Sequence, residues 1–258
     1  MTLQVLISTM HQTDHSLLKK MNIDSDAIVI NQCDRSETEQ FQYCGHDILW
    51  ISVNERGIGL SRNTALMRAS ADIVLFADDD VVYEDGYAEK ILLAYESHPG
   101  ADLLLVGLDV IYPDRVISKN KTEHRVRIFN ALRYGAVHFS GRRDRLLDKN
   151  LCFSLLFGGG AKYACGEDNI FLTDAIKRGL KVWNVPIHVG KVYQGESSWF
   201  RGYDNRYFYD KGVLMKHIFG VWAYPLLLVL LLKNREQHQE IGTKAAISAA
   251  MQGAGSVR

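Results

Sequence analysis

The stretch "ADIVLFADDDVVYEDG", residues 71–86, sets an apolar run, Ile73 to Ala77, directly against three consecutive carboxylates, Asp78, Asp79 and Asp80. A short run of this kind, rich in β-branched residues and without alternation, predicts a strand buried on both faces, as in a parallel sheet. In an open α/β sheet, ligands bind beyond the carboxyl ends of the strands, which is where the three aspartates fall. Like charges this close repel and raise one another's pKa, so the cluster calls for a compensating cation, most simply a divalent metal with oxygen ligands. A cation held by one or two carboxylates, with its other positions open, is suited to gripping a diphosphate. The competing reading is a loop of solvated acids capping the helix in "YEDGYAEK".

Similar apolar runs lie at residues 3–9, 26–32, 48–53 and 102–112. Helix-like stretches separate them: "DHSLLKKM" with Asp14 as N-cap, "SRNTALMRAS" with Ser61 as N-cap, and "GYAEKILLAYES", where Tyr87, Ile91, Ala94 and Tyr95 share a face. Strands alternating with helices predict an α/β sheet. Residues 113–157 mix basic and aromatic side chains without a clean period, and their structure stays open. "GEDNIFLTDAIKRGL" then predicts a helix with Ile170, Phe171 and Ala175 inward and Gly179 as its stop, leading into the strand "KVWNVPI".

At 258 residues and 47% hydrophobic content the chain can bury a large core, and its 30 basic and 30 acidic residues balance, which argues against a nucleic-acid partner. The charges are nevertheless segregated: residues 72–109 hold ten acids and one base, residues 115–149 ten bases and three acids. That pattern fits a metal and an anion bound side by side, or two unrelated solvated faces. Cys33, Cys44, Cys152 and Cys165 have no zinc spacing, and the first residues read as a strand rather than a secretory signal, so a reducing cytosol is expected. The fifteen-residue run 218–232, "IFGVWAYPLLLVLLL", falls short of the ~20 residues that span a bilayer and is interrupted by Pro225. Lys216, His217, Lys233 and Arg235 flank it, leaving three readings: a core helix, a segment lying on a membrane, or a subunit contact. The last two dozen residues, rich in Ala and Gly, are expected to be loosely ordered.

The block "GIGLSRNTALMRASADIVLFADDDVVYEDG" resembles the central block of family 2 glycosyltransferases, and "GGGAKYACGEDNIFLTDAIKRGLKVWNVP" resembles their acceptor-side block. "ISTMHQ" and "VINQCDRS" fall where that family's first two strand ends embrace the nucleoside base, so the resemblance covers roughly residues 3–200. It implies a GT-A fold: a Rossmann-like nucleotide-sugar-binding half (1–112) and an acceptor half (113–212) on one mostly parallel sheet, followed by an apolar, membrane-associating tail (213–258). It implies Mn2+ or Mg2+ on Asp80, Asp79 and Asp78, with His188 as a further candidate ligand. Donor contacts are expected from Ser8, Thr9, Gln32, Asp34, Arg62, Asn63, Asp78 and Asp79. Acceptor contacts are expected from Gly159, Gly160 and Trp199, and the base is Asp168, with Glu167 orienting the acceptor or the loop.

The chain departs from the family pattern at the second strand end, where Asn31 and Gln32 stand in place of two acids. Their amides, each with a donor and an acceptor, suit a uracil edge, which favours a UDP-sugar. The acceptor is then a glycan or lipid-linked saccharide, and the setting the inner face of a bacterial plasma membrane. Arg142, Arg143 and Arg145 are candidates for an acceptor diphosphate or anionic lipid, or a solvated face. "ADDDV" also resembles the motif of haloacid-dehalogenase-type phosphatases with Asp78 as nucleophile, although three strands precede it here. A catalytically silent glycan-binding or scaffold protein is the remaining alternative.

Overall fold

The structure is a computed structural model describing residues 1–118, 122–193 and 202–257. The first half runs β1 (Leu3–Met10), α1 (Ser16–Lys20), β2 (Asp26–Gln32), β3 (Glu37–Tyr43), β4 (His46–Val53), α2 (Ile58–Leu66), β5 (Ile73–Asp78), β6 (Val81–Tyr83), α3 (Tyr87–Ser97) and β7 (Leu103–Ile111). The second runs β8 (Val116–Ser118), β9 (His124–Arg125), α4 (Ile128–Ala131), β10 (Phe139–Arg142), α5 (Arg143–Asp148), α6 (Glu167–Lys177) and β11 (Val182–Tyr193). It closes with α7 (Asn205–Phe219), α8 (Ala223–Lys233) and α9 (Thr243–Gly255).

Eleven strands among the described residues join one sheet, in the order β3-β4-β2-β1-β5-β10-β7-β11-β6, with β8 on β7 and β9 on β11. The apolar runs become β1, β2, β4 and β5, all parallel, because alternate side chains of each run feed separate cores on the two faces of the sheet. Val5, Ile7, Val29 and Leu75 pack with Tyr87, Ile91 and Tyr95 on one face; Leu6, Ile28, Val74 and Phe76 pack with Phe153 and Phe171 on the other. Strand order reverses at β1, which pairs in parallel with β2 on one side and β5 on the other, setting Ser8 opposite Asp78. A crevice at the carboxyl ends of β1 and β5 follows from this topology.

Several elements differ from expectation. β3 has alternating, half-exposed residues and no apolar run, and it joins the sheet as an antiparallel edge on β4. β10 lies in the region left open and inserts antiparallel between β5 and β7, so the sheet is mixed. Its register sets Arg142 opposite Ile73, at the end of β5 remote from Asp78. Arg142 there donates to Ala101 O and lies over the Tyr95 ring, Arg143 pairs with Asp144, and Arg145 pairs with Asp102 at 2.8 Å. None of these three arginines reaches the crevice.

The tail departs furthest from expectation. Helix α7 crosses the anticipated 212/213 boundary, and Val213, Leu214 and Ile218 pack with Phe157 and Ile170 of the preceding part. The apolar run is split by a turn at Gly220–Trp222, and Pro225 sits in the first turn of α8, where its missing N–H costs nothing. Ala223, Leu227 and Leu231 of α8 face inward, whereas Val221, Trp222, Leu228, Val229 and Leu232 are exposed. The Ala- and Gly-rich end, expected to be loose, is the helix α9, whose small residues allow an intimate crossing with α7. A Cβ at Gly212 would stand 1.9 Å from Ala250 O.

That contact makes a prediction about stability. Gly212→Ala is expected to destabilise the protein by about 1–3 kcal/mol through overpacking. Gly255→Ala, where nothing lies within 4 Å, is expected to be neutral or slightly stabilising. Thermal unfolding of the two variants beside the wild type checks this, and equal melting temperatures would contradict the close crossing.

Candidate active site

A cleft of about 250 Å3 opens at the carboxyl ends of β1 and β5, lined among others by Ser8, Thr9, Gln32, Arg62, Asp78, Asp79, Asp80, Gly159 and Glu167. Four elements distant in sequence converge there: two strand ends, the start of α2 and the start of α6. Arg62 joins them. Its guanidinium is only 4% exposed; it donates to both carboxylate oxygens of Asp78 at 2.8 and 3.1 Å and to Glu167 Oε1 at 2.9 Å. Burial alone would lower its pKa, but Asp78 and Glu167 outweigh that effect and hold the guanidinium protonated. Phe153 lies beneath it, 5.2 Å from ring centroid to guanidinium carbon, and stacks in turn on Phe171 at 4.1 Å.

The three aspartates therefore have different environments. Asp78 is neutralised by Arg62, and Asp79 accepts a 2.6 Å hydrogen bond from the Thr9 hydroxyl. Asp80 has a buried Oδ1 without a partner among the described residues, and burial first, then Asp78 and Asp79, push its pKa up to about 7. An orphaned, charge-repelled carboxylate at the mouth of a cleft fits a hard cation that brings its remaining ligands from water or a bound phosphate. Among the described residues no three His, Cys, Asp or Glu side chains converge as a closed metal site. His188 stands apart from the cleft, on a bulge in β11, with its ring between Glu84 at 2.7 Å and Asp109 at 3.4 Å.

On the other side of Arg62, Glu167 and Asp168 open α6. Glu167 faces the cleft through Arg62, whereas Asp168 Oδ1 accepts from the Asn169 N–H at 2.7 Å and Oδ2 lies toward Gly135. Burial first, then the Glu167 charge, hold Asp168 well above the usual carboxylate range, with Arg62 opposing. The glycine loop closes the cleft: Ile58 N–H donates to Gly159 O at 3.0 Å, and Gly160 packs on the backbone of Gly57. At Gly158, with φ of 102°, a Cβ would stand 2.7 Å from Glu167 Oε2, so only glycine fits.

Some expected donor groups serve the scaffold. Gln32 spends both amide functions on Gly57, donating to its O at 2.8 Å and accepting from its N–H at 3.2 Å. Asn31 is likewise saturated by Gln12 and Ser52. Asn63 turns away from the cleft and pairs with the backbone N–H and O of Phe153. Ser61 is inside α2 rather than its cap, and its hydroxyl donates to Ser8 Oγ at 2.8 Å. Asp34 is exposed and lines a neighbouring cavity of about 350 Å3 with His11, Gln12, Cys33 and Arg35. Trp199 lies outside the described residues. The Arg62 bridge, the Thr9–Asp79 bond and the Phe153 platform were not anticipated as a network; the basic and acidic letters were visible, but which of them would pair was not.

No curated protein matches the chain. Among solved structures, residues 1–349 of S. aureus TarS align with a TM-score of 0.65 at 14% identity, covering 98% of this chain and 81% of that one. The same protein in complex with UDP-GlcNAc aligns with a TM-score of 0.61 at 15% identity, covering 95% and 74%. Asp78 is held through both oxygens by Arg62 at the end of the fifth strand, unlike a phosphatase nucleophile on a first strand. The family model described as "Glycosyl transferase family 2" matches residues 7–157, well over half of the chain, which is therefore a GT-A glycosyltransferase of family 2.

Proposed function

We propose that the protein is a metal-dependent, inverting transferase that moves a sugar from a UDP-sugar to a glycan or lipid-linked saccharide. The observation that carries this reading is the partnerless Asp80 carboxylate in a cleft lined by four carboxylates and one arginine. With that lining the cleft is net negative and repels a diphosphate unless a cation enters with it. Asp80 with Asp79 would hold Mn2+ or Mg2+, which when bound neutralises charge on the departing diphosphate. The cavity beside Asp34 suits the base, whose N–H can donate to that carboxylate. The TarS complex with UDP-GlcNAc supports a uridine nucleotide on the same fold.

Glu167 is committed to Arg62 by a 2.9 Å ion pair, which suits its carboxylate to fixing the start of α6. Asp168, one residue on, has the higher proton affinity that a base needs. It takes the proton of the acceptor hydroxyl as that oxygen bonds to the anomeric carbon, and the bond from this carbon to the diphosphate breaks on the opposite side.

A membrane setting rests on the outer face of the tail. Val221 and Trp222 are 72% and 71% exposed, and Phe129, at 82%, stacks on Phe219 beside them. Lys216 and Lys233 flank this surface, with Lys216 over the Tyr224 ring, and the apolar-aromatic-basic combination matches an anionic bilayer surface. The four cysteines are free, as in the cytosol.

Three outcomes test these assignments. Asp80→Ala is expected to weaken Mn2+-dependent UDP binding by about 100-fold while keeping the melting temperature, since it removes a repelled carboxylate; wild-type affinity by calorimetry would sink the metal role. Asp168→Asn is expected to slow transfer by roughly 10²- to 10⁴-fold with donor binding unchanged. Because a base acts ionised and this group's pKa is raised, the wild-type kcat/KM should fall on its acid side from above about pH 5, higher than an ordinary aspartate allows. Turnover near wild type in Asp168→Asn, with Glu167→Gln inactive, would move the role to Glu167. For the tail, Trp222→Glu with Val229→Glu is expected to abolish the salt-sensitive partitioning of the protein onto phosphatidylglycerol vesicles, and undiminished binding would refute it.

A further inference from the structure

A second cavity, of about 640 Å3, lies outside the catalytic cleft, between the segment after the glycine loop and the crossing of α7 with α9. One wall is Lys162 and Tyr163. The second is Asn205, Arg206 and Tyr209 of α7, and the third is a single face of α9 carrying Ser248 and Gln252. Among the described residues no acidic side chain lines it.

The groove is built rather than incidental. Arg206 is held at three points: its Nε pairs with the buried Asp210 at 2.9 Å, one Nη2 hydrogen is donated to Lys162 O at 2.8 Å, and the guanidinium lies over the Tyr209 ring at 5.8 Å. Its Nη1 group has no protein partner among the described residues. The Lys162 ammonium lies over the Tyr163 ring at 5.2 Å, and that ring packs against Phe157. Since Asp210 offsets Arg206, the net charge at the groove is the single positive charge of Lys162. Aromatic rings, amide and hydroxyl groups and one uncompensated cation together suit a sugar that carries an anionic group.

Its position gives the ligand a role. Two residues, Gly160 and Ala161, separate Gly159, in the catalytic cleft, from Lys162, in the groove, a reach of at most about 11 Å. The same loop is tied to both sites, through Gly159 O to Ile58 and through Lys162 O to Arg206. We infer that this groove is a remote acceptor subsite, binding an anionic sugar unit of the acceptor beyond the residue that receives the new linkage. The inference rests on the reading of the protein as a transferase acting on a saccharide.

The test is calorimetric titration of the full-length protein with glucose 1-phosphate, with glucose and inorganic phosphate as separate arms, in the presence and absence of UDP and Mn2+. Glucose 1-phosphate is expected to bind one-to-one, about tenfold or more tightly than either half alone, and to persist when UDP and Mn2+ are added. Ser248→Trp, which fills the groove from an exposed helix position, and Lys162→Gln are each expected to weaken it about tenfold while leaving UDP binding intact. Absence of binding, displacement by UDP, equal affinity for phosphate alone, or indifference to both substitutions would overturn the subsite. Displacement by phosphatidylglycerol vesicles would assign the groove to a lipid headgroup and overturn it equally. Loss of UDP binding by the wild type would instead sink the transferase reading and leave the sugar-phosphate result standing.

Discussion

The buried guanidinium of Arg62 is the interaction on which the site depends. Among the described residues it carries the only positive charge in the cleft lining, and it ties a carboxylate at the end of β5 to one at the start of α6, 105 residues away in sequence from its own position. Without Arg62, Glu167, which is 12% exposed, would be a buried anion beside Asp168 and Asp78; removing one partner of such a pair costs roughly 3–5 kcal/mol. The Asp78 arm is a third exposed and is worth less, since solvent screens it. The stack of Phe153 on Phe171 below the guanidinium fixes its height, and Asn63, by binding the Phe153 backbone, fixes the stack. A residue that resembles a donor contact in sequence is thus, in space, the joint between the end of β5 and the start of α6.

The same joint explains why three adjacent aspartates are tolerable. Asp78 is neutralised by an internal cation, Asp79 is bound by a hydroxyl, and only Asp80 is left with its charge unresolved. Asp80 is the one left to burial and to its neighbours' charges, which together, burial first, raise its proton affinity. A cluster arranged this way is not a solvated helix cap, because Asp80 is turned inward rather than toward the N-terminus of α3, whose cap is Gly86.

The buried parallel strands and the position of the acidic cluster were legible because both follow from local patterns: continuous apolar runs and charge at their ends. The helices α3 and α6 were legible too, since Tyr87, Ile91 and Tyr95, or Phe171 and Ala175, recur at helical spacing and all are buried. What was not legible depends on partners remote in sequence. β10 is a four-residue strand whose only reason to be extended is the slot between β5 and β7. The amides of Asn31 and Gln32 look like base readers until the loop carrying Gly57 and the turn carrying Gln12 arrive to saturate them. His188 is close to the right place in sequence, but a bulge in β11 gives it to Glu84 and Asp109. In each case the residue type was read correctly and its nearest neighbour in space was not.

The C-terminal helices show the same limit with a mechanistic consequence. Read along the chain, residues beyond 212 look like an appendage, yet Leu214 of α7 packs directly on Gly166, where a Cβ would stand 2.6 Å from its side chain. Gly166 is the residue that starts α6, so the helix carrying Glu167 and Asp168 begins against a tail side chain. Lys177, at the other end of α6, donates to Ile218 O of α7 at 2.6 Å. Both ends of α6 are thus braced by α7, which in turn is locked to α9 through the close approach at Gly212. Helix α8 packs against α7 through Ala223, Leu227 and Leu231. The tail is part of the scaffold of the cleft: α7 packs on both ends of the helix that carries Glu167 and Asp168, and the apolar outer face of α8 is one helix away.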